Sequence, residues 1–168
     1  MNIYGYCRIS TAKQSIDRQI RNIKAEYPTA HIVQEAYTGT SIFRPEWLKL
    51  YRVLKAGDTV VFDSVSRMSR NAEEGFALYE DLYHKGIRLV FLKEHHIDTE
   101  TYKKALSGSI AMTGTNVDFI LKGINEYLMA LAKEQIKLAF EQSEKEVADL
   151  HQRCLLYTSP SPRDYAAS

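Results

Sequence analysis

Ser10 follows Arg8 by two residues, where the apolar run from Ile3 to Ile9 gives way to a polar segment. Much later, Ser66-Arg67-Met68-Ser69-Arg70-Asn71 adds two more arginines just after another apolar run, Thr59 to Asp63. One hydroxyl with three guanidiniums is a set suited to phosphoryl transfer. Arginine forks match phosphate bidentately and stay charged, and a transferred phosphoryl centre needs charge stabilisation more than covalent help. No carboxylate belongs to the set. The chemistry these residue types suggest is therefore transfer of a phosphoryl group to or from a serine, with no metal or cofactor. Plainer readings stand beside it. Ser10 and Thr11 are ordinary helix-start residues. Arg67 and Arg70, three apart, suit a solvated helix face, and Arg44 before Pro45 suits a loop.

Other chemistries find little support. Cys7 and Cys154 form neither a disulfide framework nor a metal-ligand spacing. Cys7 has no downstream arginine of the kind a cysteine phosphatase loop requires, and His95-His96 is a pair without further ligands. No G-x-S-x-G, P-loop or G-x-G-x-x-G occurs, so hydrolase, nucleotide triphosphatase and dinucleotide readings have no local motif. The formal net charge of +1 gives no overall basic bias, so nucleic-acid binding must come from local clustering. Charged residues at 26% and hydrophobic ones at 45% describe a globular chain. No signal-peptide pattern or membrane-length apolar run is present, which sets a cytoplasmic expectation.

The elements that must position these residues follow from spacing. Ile3 to Ile9 reads as a buried strand. Thr11-Ala12-Lys13-Gln14 has the form of a capping box, with Ile16, Ile20 and Ile23 at helical spacing until Pro28. A strand from His31 to Tyr37 precedes a helix opened by Pro45 and stopped at Ala56-Gly57-Asp58. Thr59 to Asp63 is a third strand, Asn71 to Lys85 a helix, and Arg88 to Lys93 a fourth strand. The alternation predicts an α/β fold with a mainly parallel sheet flanked by helices, and ligands gather at the carboxyl ends of such strands. Glu94 to Thr101 reads as a polar loop. From Asn116 the stripe Val117, Ile120, Leu121, Ile124, Tyr127, Leu128 and Leu131 begins a helix, with Gly123 a weak point where it could bend. Continuous to about residue 152, it would be about 55 Å long, against a domain diameter of roughly 35–40 Å. A helix that overhangs its own domain wants a partner, usually a second copy. Residues 154–168, with Ser159-Pro160-Ser161-Pro162, read as a disordered or foreign tail.

Tyr4-Gly5-Tyr6-Cys7-Arg8-Ile9-Ser10-Thr11 with Gln14-Ser15-Ile16-Asp17-Arg18-Gln19 resembles the amino terminus of the serine site-specific recombinases, the resolvase and invertase family. Gly57 to Phe62 with Ser66 to Asn71 resembles that family's second signature. The similarity covers roughly residues 1–93, with a looser match along the long helix to Arg153. It implies that Ser10 attacks a DNA phosphodiester and becomes joined to the 5′ phosphate, while Arg8, Arg67 and Arg70 hold the scissile phosphate. Arg44 corresponds to a further phosphate-contacting arginine, and Gln14 and Gln19 to positions that orient the serine or the arginines. The same resemblance implies no ATP or metal, DNA as substrate, and a homodimer that pairs into a tetramer through the long helix. Residues 1–115 would be the catalytic domain, 116–153 the oligomerisation helix, and a carboxy-terminal DNA-binding domain would be missing.

Three departures qualify the match. Ser66 stands where the family usually has aspartate, which leaves open what takes the Ser10 proton; Asp63 lies three residues earlier. The segment from Thr99 to Thr115 reads as an insertion and suggests a larger, transposon-type sub-group. The Ser-Pro tail replaces the expected DNA-binding domain. A catalytically weak regulatory or assembly module of a recombinase is one alternative, and a flavodoxin-like domain binding a phosphorylated ligand is another.

Overall fold

Four short runs rich in β-branched and aromatic residues become four parallel strands in the computed structural model, which describes residues 1–9, 16–36, 44–69, 71–107 and 110–158. In chain order the elements are β1 (Ile3–Ile9), α1 (Asp17–Glu26), β2 (His31–Ala36), α2 (Pro45–Val53), β3 (Thr59–Phe62), α3 (Val65–Met68), α4 (Ala72–His84), β4 (Arg88–Phe91), α5 (Thr99–Ser107) and α6 (Asp118–Thr158). The sheet order is β2-β1-β3-β4, with β1 paired to β2 on one side and to β3 on the other. The chain winds outward in opposite directions from β1 and β3, so their carboxyl ends flank the switch point where open α/β sheets bind ligands.

Both faces of the sheet are covered, as a parallel sheet requires. The period-two alternation of strands sends Tyr6, Val60, Phe62, Leu89 and Phe91 into one core, with Trp47 and Leu50 of α2, Tyr79 and Leu82 of α4, and Ile136 and Phe140 of α6. Cys7, Val61 and Val90 enter a smaller core on the opposite face, under Ile16, Ile20 and Ile23. Gly5 permits that second layer to sit close: a Cβ there would lie 2.8 Å from side-chain carbons of both Ile23 and Ile32. No larger residue leaves room for α1 at this distance from β1.

Several boundaries differ from the sequence reading. A four-residue helix, α3, precedes α4 in the arginine segment. The stretch expected as a polar loop holds a 3₁₀ turn, His95–Ile97, and then α5. Short-range polarity hid a buried face: the Thr99 hydroxyl accepts from the Leu89 amide at 2.9 Å, and Tyr102 packs edge-on against Tyr83 with centroids 4.9 Å apart. The expected insertion is therefore helical through Ser107. The long helix begins at Asp118, continues across Gly123, and runs to Thr158, past the expected stop at 153. The expected capping box, residues 11–14, lies outside the described residues.

Asp58 ties the amino terminus to this frame. Its carboxylate accepts from the amides of Asn2, at 2.8 Å, and Lys55, at 3.0 Å. The Asn2 bond, ahead of the Lys55 bond, holds the carboxyl below its ordinary value of 3.8. Asp58→Ala leaves both donors without this acceptor and should lower stability by about 1–3 kcal/mol, read as about 3–10 °C in thermal denaturation. A carboxyl lowered in the folded state stabilises above its unfolded value, and loses that contribution as pH falls through the folded one. The gap between wild type and Asp58→Asn should accordingly be full near pH 7 and shrink as pH falls below the ordinary carboxyl value of 3.8; a gap that widens on acidification would contradict the assignment.

Candidate active site at the switch point

Arg8 is the next-to-last residue of β1, and β3 stops at Phe62, opposite Tyr6. The main-chain groups of Arg8 thus extend beyond the neighbouring strand. The buried Gln19 carboxamide of α1 takes both: its Oε1 accepts from the Arg8 amide at 3.1 Å, and its Nε2 donates to the Arg8 carbonyl at 2.8 Å. Gln19 acts as a one-residue strand. It holds the main chain of Arg8 rather than its guanidinium.

Three arginines from separate parts of the chain meet around α3. The Arg8 Nη2 donates to the Ser66 carbonyl at 2.7 Å. Arg67 Nη1 donates back to the Arg8 carbonyl at 3.2 Å. Arg44, the residue before α2, donates through Nη1 to the Met68 carbonyl at the end of α3. Each guanidinium donates to a main-chain carbonyl. Three like charges held within one short segment repel one another, a cost that an anion in their midst offsets.

Two carboxylates support the arrangement from behind. Glu35, at an inward position of β2, accepts from the Trp47 amide at 3.0 Å in the first turn of α2. Arg44 offers no side-chain cap there, so Glu35 supplies one and the helix dipole favours its charge. Glu94 does the same for α3, accepting from the Val65 amide at 3.0 Å; burial raises its carboxyl above the ordinary value while that bond opposes the rise. Sequence reasoning missed both. A carboxylate at an inward strand position was the available signal for Glu35.

Position 66 shows what holds Arg8 where the resemblance leads one to expect aspartate. The main-chain carbonyl of Ser66 does so, while its hydroxyl pairs with that of Ser64 at 2.8 Å. Asp63 faces the α1 side of the sheet: Asn22 donates to it at 2.8 Å, and the Lys93 ammonium lies 3.5 Å away. Burial, then the charge of Asp63, pushes the Cys7 thiol up to about 12, with Arg67 opposing. Burial also raises the Tyr6 phenol well above its ordinary value, with Arg44 pulling the other way. Ser10, Gln14 and Arg70 lie outside the described residues. Among the described residues, no group of three His, Cys, Asp or Glu side chains is placed to hold a metal ion.

Residues 3–146 match the family model described as Resolvase, N terminal domain. The Tn21 resolvase of Escherichia coli is 27% identical over 155 residues, covering 89% of this chain and 81% of that protein. The Tn1721 resolvase of Escherichia coli is 28% identical over 134 residues, with shares of 78% and 70%. A resolvase of Clostridium perfringens is 32% identical over 99 residues, with shares of 58% and 52%. Among solved structures, a resolvase family site-specific recombinase from Streptococcus pneumoniae is 18% identical with a TM-score of 0.47, covering 90% of this chain and 99% of that one. A serine recombinase from Sulfolobus solfataricus is 20% identical with a TM-score of 0.46, covering 76% and 98%.

Two outcomes test this geometry. Gln19→Leu removes the acceptor and donor that serve Arg8 and should cost about 2–4 kcal/mol in urea unfolding, from two buried main-chain groups left unmade; Gln19→Glu keeps the acceptor and should cost less. In a Cys154→Ser background, Cys7 should not react measurably with a thiol reagent at pH 8 until the protein unfolds, because a buried thiol with a pKa near 12 carries almost no thiolate. Rapid labelling of the folded protein would refute the burial.

Proposed function

The chain belongs to the resolvase N-terminal domain family, and from that premise we propose that it cleaves and rejoins DNA strands through Ser10. Site-specific recombination is the function that this membership supports. The Ser10 oxygen attacks a phosphodiester phosphorus and forms a Ser–O–P bond, while the bond to the 3′ oxygen breaks and its electron pair leaves with that oxygen. One proton leaves Ser10 and one is taken up by the 3′ oxygen, so the strand is left with a 5′ phosphoserine link and a free 3′ hydroxyl. Rejoining is the reverse attack by a 3′ hydroxyl. The phosphodiester energy is kept in the link, and the scheme needs no cofactor.

The observation that carries this reading is the meeting of Arg8, Arg44 and Arg67 at the carboxyl ends of β1 and β3. Guanidiniums aimed at a phosphoryl centre stabilise the charge that develops on its equatorial oxygens. Arg70 belongs to the same set by its place in the motif, and Gln14 to the support of the serine. Gln19 serves by fixing Arg8. A flavodoxin-like ligand domain and a module that has lost cleavage are not favoured, since the family match and the arginine cluster coincide.

Assembly is proposed through α6. Its own-domain face is Leu128, Ala132, Ile136, Ala139 and Phe140. A second stripe, Ile120, Ile124, Tyr127 and Leu131 at three- and four-residue steps and Leu138 seven further on, is exposed, with Val117 exposed just before the helix. Such spacing is that of a helix pairing along a seam. A homodimer that pairs into a tetramer would cover it. Among the described residues no helix is long and apolar enough to cross a membrane.

Covalent trapping is the test. The complete protein carrying this domain, incubated with nicked duplexes from its own genomic neighbourhood, should accumulate a DNA-linked species stable to detergent. Ser10→Ala should abolish it; trapping that persists in this variant would sink the nucleophile assignment. Arg67→Ala should lower the trapping rate about 10²–10³-fold, and Arg67→Lys should not restore it, because a point charge lacks the fork. Separately, Ile124→Glu with Leu131→Glu should shift the particle mass in light scattering to the monomer with thermal stability unchanged; an unchanged dimer would place the interface elsewhere.

A further inference from the structure

The turn between α3 and α4 is held from the far half of the long helix. Ser69 Oγ donates to the Asn71 carbonyl at 3.0 Å and accepts from its amide at 3.2 Å. Asn71 caps α4 through the Glu74 amide at 3.0 Å. The earliest amide of the helix, that of Ala72, is taken by Glu144 Oε2 of α6 at 3.2 Å. One turn earlier on the same face, the buried Phe140 ring fills the notch at Gly75, where a Cβ would lie 2.5 Å from the ring and 3.1 Å from the Ser69 Cβ. Two residues of α6, spaced four apart and therefore stacked on one face, thus grip the segment that flanks Arg70 in the chain.

We infer that Glu144 is a positioning residue for the arginine site: by holding the Ala72 amide behind the Ser69–Asn71 contacts it fixes the end of α3, whose Ser66 and Met68 carbonyls orient Arg8 and Arg44. The inference rests on the phosphate-binding role proposed above. Helix starts expose orphan amides and favour a negative charge, and here the cap is divided between a local residue, Asn71, and one 72 positions away. Glu144 is exposed apart from this contact, and the core of α6 is carried by Ile136 and Phe140. Removing its carboxylate therefore loosens the turn without emptying the core. By sequence it is one more acid on a solvated helix face, and its periodicity alone assigns it nothing.

The test uses this chain with inorganic phosphate as the probe. Glu144→Ala should speed amide exchange at Ala72 about 5- to 10-fold, the scale of a lost cap. It should weaken phosphate binding, followed through the arginine Nε–H resonances, about 3- to 10-fold, with the melting temperature within about 4 °C of wild type. Glu144→Gln keeps an acceptor oxygen and should restore most of both. Unchanged exchange and affinity in Glu144→Ala, or equal losses in the two variants, would overturn the inference. Losses that merely track the global unfolding free energy would overturn it as well. If the wild type binds no phosphate and Arg67→Ala changes nothing, the site reading itself fails, and exchange at Ala72 alone then decides the role of Glu144.

Discussion

The Gln19 carboxamide on the main chain of Arg8 is the contact on which the rest of the site depends. A parallel sheet ends raggedly, and a strand that outruns its neighbour presents an amide and a carbonyl that need partners. Gln19 meets both, which lets β1 continue past Tyr6 and carry Arg8, still paired to β2, beyond the end of β3. Gly5 allows α1 close enough for that reach. Arg67 then donates to the same Arg8 carbonyl, and Arg8 to the Ser66 carbonyl, so the ends of β1 and β3 are tied to each other across the switch point.

Main-chain carbonyls orient the guanidiniums gathered here, and a neutral carbonyl fixes a guanidinium without neutralising it. This also accounts for Ser66. The group that fixes Arg8 at that position is the main-chain carbonyl, which every residue type supplies, so serine in place of aspartate leaves Arg8 held. What changes is the neighbouring electrostatics, where a hydroxyl pair stands instead of a carboxylate. The carboxylates of the region sit one layer back, on the amides of α2 and α3.

The long helix serves two surfaces at once. Its Ile136 and Phe140 belong to the core of the domain, while the stripe from Ile120 to Leu138 is left exposed. Glu144 and Phe140 bring the same helix against the turn that follows α3. The element proposed for assembly therefore also touches the frame of the arginine site.

Residue types and spacing by themselves determined the alternation of the four strands with the helices between them, the carboxyl-edge location of Arg8 and the second arginine segment, and that a long helix follows the sheet. Each of these depends on near neighbours in the chain: period-two and period-3.6 apolar patterns, Pro45, Pro28 and the Gly57 turn. The same local rules misread residues 94–101 as a loop, where a 3₁₀ turn and the start of α5 pack Thr99 against β4. Only the tertiary structure decided that β1 and β3 are adjacent and that Glu35 and Glu94 cap helices 12 and 29 residues away from them. It alone placed Asp63 against Asn22 and the Ser66 carbonyl on Arg8. Those contacts join residues tens of positions apart, and a chain carries no local mark of which distant carbonyl or amide will complete a given side chain.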